Sequence, residues 1–343
     1  MKTKGKLLEL FEYQNVRPPP LWLMRQAGRY LPEYRALRAK AGSFWELCRN
    51  PELAAEVSLQ PVKRFGFDAA IIFSDILIVP VALGIDVRIE EGLGPRMAPI
   101  TSVEELGGEP DLWLKTLSPV YTALSEVRQQ LSAEKALIGF AGGPWTLATY
   151  LAEGQGSRDQ HAAKLWGYRD PIGFGLLLDR LVDAVSLHLA NQIRAGADVV
   201  QIFDSWSAGL TTTAFLDWVI EPTRKIVENV RARHPQARII GFPRATSLEG
   251  YRAYAIRTGV DAISLDSSAP MKWAARSLGQ TKIVQGNLDP IVLLAGGEAL
   301  DRAVGEILEA GRDTRLIFNL GHGILPETPL AHVEALVERV RRL

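Results

Sequence analysis

The sequence predicts an α/β protein in which a parallel sheet closes into a (β/α)₈ TIM barrel. Eight short apolar runs of strand length recur along the 343 residues, and most are followed by a segment with helical periodicity. Runs that are apolar throughout are typical of parallel strands covered on both faces. Alternating strands and helices favour a parallel sheet, and eight such units favour its closure into a barrel.

The predicted strands share one pattern, in which an apolar run stops abruptly at polar or small residues. They are residues 21–24, 67–73, 136–141, 198–203, 238–242, 261–265, 282–285 and 315–318. Helical patterns cover residues 176–195, 213–233, 248–259, 271–278 and 300–311, and a last amphipathic helix spans residues 330–340. Ser43-Phe44-Trp45-Glu46 and Asn50-Pro51 predict two further helix starts.

An open doubly wound sheet is the alternative fold. It would be favoured by a Gly-x-Gly-x-x-Gly motif after the first strand, and the chain has none there. No low-complexity linker divides the chain, so residues 1–343 are predicted to form a single domain. The stretch 75–136 is longer than one helix requires, and we expect it to carry excursions over the barrel mouth.

Composition limits the classes of partner. Lys plus Arg and Asp plus Glu number 39 each, so no net charge draws the protein to nucleic acid or a membrane surface. Cys48 is the only cysteine, which excludes an intramolecular disulfide and a thiolate metal cluster. The most apolar stretch, residues 69–85, is interrupted by polar residues and falls short of the roughly 18–20 apolar residues of a membrane helix. We therefore expect a cytoplasmic protein with a small-molecule substrate.

The strongest functional signal is a group of arginines after the first predicted strand. Residues 21–24 are apolar and stop at Arg25, and Arg29 and Arg38 follow. We expect Gly28 to let the backbone turn tightly between the first two. Guanidinium groups bind carboxylates in a bidentate fork and stay charged at any working pH. A solvated surface role stays open for the cluster, but its place at a strand end favours a polycarboxylate ligand.

Barrel enzymes carry their chemistry at the carboxyl ends of the strands. In this sequence those positions hold Arg25, Asp75, Gly142-Gly143, Asp204-Ser205, Arg244, Asp266, Asn287 and His322. Asp75 ends a nearly apolar run, where a carboxylate is costly unless it is paired or hydrogen-bonded. It is either a ligand acceptor or the partner of a barrel arginine. His322 lies between two glycines that allow close backbone approach, and a packed histidine is its alternative role.

The remaining strand-end residues are weaker signals. Gly142-Gly143-Pro144 joins a strand to a helix whose free N–H groups could receive a carboxylate, or it is simply a flexible helix start. Tyr150 lies two turns along that helix and could offer a phenol to the mouth, with core packing as the alternative. Ser205 could donate to an anion, while Asp204 could pair with an arginine. These residues alone do not name a reaction.

Several motifs resemble those of the uroporphyrinogen decarboxylase family. The first is Pro20-Leu-Trp-Leu-Met-Arg-Gln-Ala-Gly-Arg-Tyr-Leu-Pro-Glu-Tyr-Arg35, and the second is Gly139-Phe-Ala-Gly-Gly-Pro-Trp-Thr-Leu-Ala-Thr-Tyr150. Residues 71–77, 202–206, 285–290 and 318–323 also match in order, so the resemblance runs from about residue 20 to residue 325. Residues 206–209 and 245–247 fit less closely.

The resemblance implies a distorted (β/α)₈ barrel that is usually a homodimer. It implies a carboxy-lyase of tetrapyrrole biosynthesis, on the way to haem or chlorophyll, that works without metal or organic cofactor. The reaction removes carbon dioxide from the four acetate arms of uroporphyrinogen III and gives coproporphyrinogen III.

The resemblance also implies roles for individual residues. Substrate carboxylates would be bound by the segment Arg25, Gln26, Ala27, Gly28 and Arg29, and Arg38 joins this set from the arginine cluster. Asp75 would accept the pyrrole N–H hydrogen bonds and face the charge of a protonated ring. Tyr150, Ser205 and His322 would contact the arms and rings of the substrate. The expected catalytic residues are Asp75, Arg29, Tyr150 and His322.

Three other functions stay open from the sequence. Barrel methyltransferases related to this family hold zinc through His and Cys near the late strands, whereas Cys48 comes early. A Schiff-base aldolase needs a lysine at a strand end, whereas Lys282 begins its strand. A tetrapyrrole carrier without activity is the third. The proton donor of a decarboxylation stays open between an arginine of the cluster and a bound water.

Overall fold

The computed structural model describes residues 5–12, 15–90 and 92–342. The strands within these ranges are β1 (Ala69–Ile71), β2 (Arg88–Glu90), β3 (Gly94–Arg96), β4 (Ala136–Gly142), β5 (Val199–Asp204), β6 (Ile239–Pro243), β7 (Ala262–Ser264), β8 (Ile283–Leu288) and β9 (Leu316–Leu320). β2 and β3 form an antiparallel hairpin. The other strands form a seven-stranded sheet in the order β1-β4-β5-β6-β7-β8-β9, and every neighbouring pair in it is parallel.

The first predicted strand closes this sheet, although it is reduced to one bridging residue. Leu21 forms a parallel bridge with Phe318 of β9. On its other side, the backbone N–H of Asp68 donates to the Leu21 carbonyl at 2.9 Å. The Leu21 N–H donates to Asp68 Oδ2 at 2.8 Å, so a side chain replaces the ladder partner that a regular strand would supply. The barrel prediction is confirmed, with its distortion at this first strand position.

The helices alternate with the strands as predicted. They are α1 (Lys6–Glu12), α2 (Pro32–Ala41), α3 (Phe44–Arg49), α4 (Pro51–Phe65), α5 (Ile78–Ala82), α6 (Pro110–Gln130), α7 (Pro144–Glu153), α8 (His161–Arg169), α9 (Pro171–Arg194), α10 (Thr212–Phe215), α11 (Glu221–Arg233), α12 (Leu248–Arg257), α13 (Met271–Ser277), α14 (Pro290–Ala295), α15 (Gly297–Ala310) and α16 (Leu330–Arg341). Across the described residues, no helix combines the length and apolar character that crossing a membrane requires.

Local chemistry accounts for the helix boundaries. Ser43 Oγ accepts the Glu46 N–H at 3.0 Å, and Asn50 Oδ1 accepts the Leu53 N–H at 3.0 Å, which confirms both predicted starts. The helix predicted over residues 213–233 is instead divided by a π-helical turn, Leu216–Ile220. Pro222 follows that turn and has no N–H to continue the ladder, which explains the irregularity.

The predicted excursion between β1 and β4 contains α5, the β2–β3 hairpin, a 3₁₀ turn (Val103–Glu105) and α6. The hairpin side of this segment contacts the chain directly after α7. Arg96 bridges Gln155, and the Met97 N–H donates to the Gly154 carbonyl at 2.9 Å. The excursion is therefore attached beside the helix that carries Tyr150.

Alternate side chains of the strands fill the barrel interior. One buried cluster combines Ile71, Ile138, Val199, Ile240, Ile283 and Ile317 with Leu7 and Leu10 of α1. A buried polar layer adjoins it, where Gln285 Nε2 donates to Ser264 Oγ at 2.9 Å and to Gln201 Oε1 at 3.1 Å. Trp22 Nε1 donates to Gln285 Oε1 at 3.1 Å. Buried amides need such partners, and these bonds connect four separate strand positions across the barrel interior.

Candidate active site

A cleft opens at the carboxyl ends of the strands. Its walls are formed by Met24, Arg25, Ala27, Ile71, Ile72, Phe73, Ser74, Asp75, Ile76, Phe140, Phe203, Ser205, His322 and Gly323. The structure therefore brings together Arg25, Ala27, Asp75, Ser205 and His322. The other predicted site residues are Gln26, Gly28, Arg29, Arg38 and Tyr150, and they are not part of this wall.

Arg25 enters the cleft from a tight turn. Its backbone is left-handed, with φ +59°, and the Gln26 N–H closes the turn on the Leu23 carbonyl at 3.0 Å. The left-handed conformation belongs to Arg25 and not to Gly28, whose φ is not positive. Gly28 is needed for space instead: a Cβ there would come within 3.0 Å of the Arg25 carbonyl oxygen.

The turn is held by side chains that do not face the cleft. Gln26 is fully buried, its Oε1 accepts the Leu23 N–H at 3.1 Å, and its Nε2 donates to the Ala69 carbonyl at 3.0 Å. Asn319 Oδ1 accepts the Met24 N–H at 2.9 Å. Gln26 thus positions Arg25, and these bonds do not support the predicted contact of the Gln26 side chain with substrate.

Arg29 and Arg38 lie close enough to Tyr34 of α2 for their charges to act on its phenol. Burial raises the pKa of Tyr34, and the charges of Arg38 and Arg29 oppose this rise. Burial also raises the pKa of Cys48, with Asp75 adding to the rise and Arg38 opposing it. The charges of Arg38 and Asp75 therefore both act on the Cys48 thiol.

Asp75 is a half-buried carboxylate without an ion pair. Its Oδ1 accepts the Leu77 N–H at 2.8 Å. No lysine or arginine nitrogen of the described residues lies within 4.0 Å of the carboxylate, so the alternative of a direct ion pair with a barrel arginine is wrong. Burial raises the pKa of Asp75, and the Leu77 N–H and the charge of Arg25 lower it in part. The group can accept hydrogen bonds from a ligand.

His322 is a neutral imidazole in the cleft wall, next to Gly323, which lies against the Arg25 side chain. A Cβ at Gly323 would collide with the Arg25 side chain, and one at Gly321 would collide with Ser267, which confirms that both glycines allow close approach. Burial and the charges of Arg244 and Arg25 lower the pKa of His322 to about 3. The ring can therefore exchange hydrogen bonds with a ligand but carries no charge at neutral pH.

Tyr150 adjoins the cleft wall from α7. Its ring packs edge-on against Trp206, with 6.0 Å between the centroids. Burial raises the pKa of the Tyr150 phenol, and the charges of Asp75 and Arg25 both act on it. The phenol stays protonated and lies within electrostatic reach of both groups, so it can donate a hydrogen bond near them.

The start of α7 is occupied by a carboxylate of the chain itself. Asp204 Oδ1 accepts the Thr146 N–H at 3.0 Å and the Thr146 hydroxyl at 2.7 Å. The Thr146 N–H is therefore not free for a ligand carboxylate, nor is the Gly143 N–H, which donates to the Phe203 carbonyl at 2.8 Å. The alternative of an Asp204–arginine pair is wrong, because Asp204 joins none of the ion pairs of the described residues. Burial raises the pKa of Asp204 to about 7, and its Oδ2 has no partner among the described residues. This contact joins the helix of Tyr150 to the strand of Ser205.

The chain matches the family model described as "Uroporphyrinogen decarboxylase (URO-D)" over residues 2–343. It belongs to the uroporphyrinogen decarboxylase family. It is 54% identical over 339 residues to "Uroporphyrinogen decarboxylase" of Chelativorans sp. (strain BNC1), covering 99% of this chain and 98% of that protein. Identity to the protein of the same name from Brucella anthropi is 51% over 338 residues, covering 98% of each.

Solved structures confirm the fold of this family member. A methyltransferase from Methanosarcina mazei superposes with a TM-score of 0.82 at 21% identity, covering 98% of this chain and 97% of that one. A B12-independent methionine synthase from Shewanella sp. W3-18-1 gives a TM-score of 0.57 at 14% identity, covering 95% and 96%. At these identities the likeness concerns the barrel alone.

The apolar wall of the cleft was not predicted from the sequence of this uroporphyrinogen decarboxylase family member. Phe140 and Phe203 meet edge-on at 5.7 Å between ring centroids, and both line the cleft. Phe140 lies two residues after the inward-facing Ile138, so the alternation of a strand could have revealed it. Among the described residues, no group of three or more His, Cys, Asp or Glu side chains could hold a metal ion.

Proposed function

We propose that this protein is a uroporphyrinogen decarboxylase, which converts the four acetate arms of uroporphyrinogen III to methyl groups and releases coproporphyrinogen III. The observation that carries the proposal is the pairing in one cleft of a half-buried, ion-pair-free Asp75 with the Arg25 guanidinium. A cation can bind a carboxylate arm there, while an anion faces the ring system. Membership of the family supplies the reaction.

Decarboxylation of an acetate arm needs a sink for the electron pair of the broken C–C bond. A proton added to a pyrrole ring carbon makes the ring that sink and gives it a positive charge. Carbon dioxide then leaves, the side-chain carbon takes up a proton and the ring proton is lost, so each arm consumes one proton net. Asp75 would face the positive charge, and one preorganised group of this kind is worth about 3–4 kcal/mol.

The cations and the neutral hydrogen-bond donors of the site would bind different parts of the substrate. Arg25 inside the cleft, together with Arg29 and Arg38, would bind carboxylates and fix the orientation of the macrocycle. Tyr150, Ser205 and His322 would donate hydrogen bonds to arms or rings, and Ala27 and Gly28 would contribute backbone. Because His322 is neutral, the proton comes from an arginine of the cluster or a bound water.

The assembly proposed is a cytoplasmic homodimer of single-domain chains, residues 1–343, without metal or organic cofactor. The family resemblance supports the dimer, and the single cysteine fits a reducing compartment. Sedimentation analysis should give about twice the chain mass of 37.8 kDa, and a monomer would contradict the dimer. Prolonged dialysis against a chelator should leave turnover unchanged.

The direct test is an anaerobic incubation of the protein with uroporphyrinogen III, followed by separation of the products by carboxylate number. We expect successive loss of four carboxylates, and strongly reduced loss in Asp75→Asn. Asp86→Asn is the matched control, since Asp86 is an exposed aspartate paired with Arg88 in the excursion. A carrier would return the substrate unchanged, and that outcome would contradict the proposal.

A further inference from the structure

Arg244 lies across the barrel from the tight turn that carries Arg25. Counted round the closed sheet from Leu21, β6 occupies the fifth of the eight strand positions, and Arg244 follows it directly. Its Nη1 lies 3.5 Å from the Ser205 carbonyl oxygen. Its charge also acts on His322, more strongly than that of Arg25 does. Both neighbours line the cleft, so the guanidinium lies at the cleft edge, although Arg244 is not itself part of the wall.

The loop after β6 is fixed on both sides. The Arg244 N–H donates to the Asp204 carbonyl at 3.0 Å. The Ala245 N–H donates to Asp266 Oδ2 at 2.6 Å, and the Tyr251 hydroxyl donates to the same oxygen. Ala245 has φ +60°, a left-handed conformation that residues with a Cβ adopt only when their surroundings impose it. Arg244 is therefore held at this edge by its neighbours rather than placed there by a free loop.

Unlike Arg231 and Arg238, the half-buried Arg244 forms no ion pair with the described residues. Arg231 pairs with Asp261 at 2.8 Å, and Arg238, at the opposite end of β6, pairs with Glu12 at 3.1 Å. Within the described residues, no carboxylate oxygen lies within 4.0 Å of the Arg244 guanidinium. Its contact with Ser205 is at the limit of a hydrogen bond and is easily exchanged. A partly desolvated cation of this kind is stabilised when a ligand brings the counter-charge.

We propose that Arg244 is a second carboxylate-binding residue of the cleft, which binds one arm of the substrate on the β5–β6 side while Arg25 binds another. This inference rests on the proposed function and adds a binding subsite to it. Two cations on opposite sides of a macrocycle with carboxylates around its edge would determine which ring lies over Asp75. The arm bound is either a reacting acetate or a carboxylate that the product retains.

The test compares Arg244→Gln and Arg244→Lys with the wild type in turnover of uroporphyrinogen III. Arg244→Gln should raise KM about tenfold, the effect of losing one charge-assisted pair of roughly 1.4 kcal/mol, with kcat changed much less. Arg244→Lys should recover part of the loss, because it keeps the charge without the bidentate fork. Arg252→Gln is the matched control, since Arg252 is an exposed arginine on α12 after the same strand.

Inhibition by coproporphyrinogen III identifies the arm. Weaker inhibition of Arg244→Gln than of the wild type assigns Arg244 to a retained carboxylate, and equal inhibition with a raised KM assigns it to an acetate. Either pattern supports the subsite. A KM within twofold of wild type in a folded Arg244→Gln overturns the subsite. If the glutamine variant does not fold, Arg244→Ala, which also removes the charge, decides in the same way. Absence of turnover in the wild type and Arg252→Gln would instead refute the proposed function.

Discussion

At the amino ends of the barrel, an aspartate directly precedes each of three strands. Each of these aspartates has both a backbone hydrogen-bond partner and an ion-pair partner. Asp68, Asp198 and Asp261 each accept a backbone N–H from the neighbouring strand position at 2.8 Å. Each also pairs with a basic side chain. The pairs are Lys135–Asp68 at 3.8 Å, Arg128–Asp198 at 2.9 Å and Arg231–Asp261 at 2.8 Å.

At the carboxyl ends, the charged groups that line or border the cleft form no ion pairs within the described part of the chain. Arg25, Arg244 and Asp75 belong to none of the ion pairs among the described residues, and His322 is neutral beside two arginines. The amino end pairs its charges within the protein, whereas the carboxyl end leaves these charges available to a ligand. The difference separates charges that stabilise the barrel from charges that we expect to bind and act on substrate.

The largest expected effect is at Asp75. Asp75→Asn removes the carboxylate that faces the developing positive charge, so we expect kcat to fall at least ~100-fold. The melting temperature should stay unchanged or rise, because a partly buried charge without an ion pair is removed. Turnover near that of Asp86→Asn would refute the role.

The amino end should respond in the opposite way. Asp261→Ala removes the acceptor of the Ile239 N–H and the partner of Arg231, and we expect the free energy of unfolding to fall by about 2 kcal/mol. Chemical denaturation measures this loss. KM and kcat of the folded variant should match the wild type, and a kinetic defect would break the proposed separation between the two ends.

Substitution of Arg29 tests whether residues beyond the cleft wall also bind the substrate. Arg29→Ala should raise KM about tenfold through loss of one charge-assisted carboxylate contact, with kcat nearly unchanged. Arg252→Ala is the surface control. Saturation behaviour equal to that of the control would remove Arg29 from the substrate-binding residues.

Asp204 gives a smaller effect that depends on pH. Its pKa is raised to about 7 in the folded protein, so the native state holds a proton that the unfolded chain releases above its ordinary pKa. The resulting stability is complete at low pH and is lost as pH rises through 7. Between pH 6 and 8 the wild type should lose about 1.4 kcal/mol more stability than Asp204→Asn. Parallel stability curves for the two proteins would contradict this.

The rule that parallel strands end at one edge was sufficient to predict much of the site. It placed Asp75, Ser205 and His322 together, because each follows an apolar run whose length and direction the sequence reveals. The same rule marked Arg244 but gave it no role. Whether a guanidinium lacks a counter-charge can be judged only when the positions of the surrounding carboxylates are known.

The errors of prediction come from side chains that replace backbone partners. Asp68 supplies the acceptor for the Leu21 N–H at the first strand position, and Asp204 fills the start of α7. A sequence shows that the backbone at a helix start or strand edge needs a hydrogen-bond partner, but it does not show which of many side chains supplies that partner. The left-handed Arg25 was missed for a related reason, since contacts from Gln26 and Asn319 impose a conformation that its own chemistry disfavours.

Equilibrium binding of uroporphyrinogen III to the Asp75→Asn protein tests the central claim most directly, because the variant should bind the substrate without consuming it. We predict that Asp75→Asn binds measurably and that adding Arg25→Gln weakens binding at least tenfold, whereas adding Arg252→Gln does not. Equal dissociation constants for the three proteins would contradict the claim that the unpaired cation of the cleft holds the substrate beside Asp75.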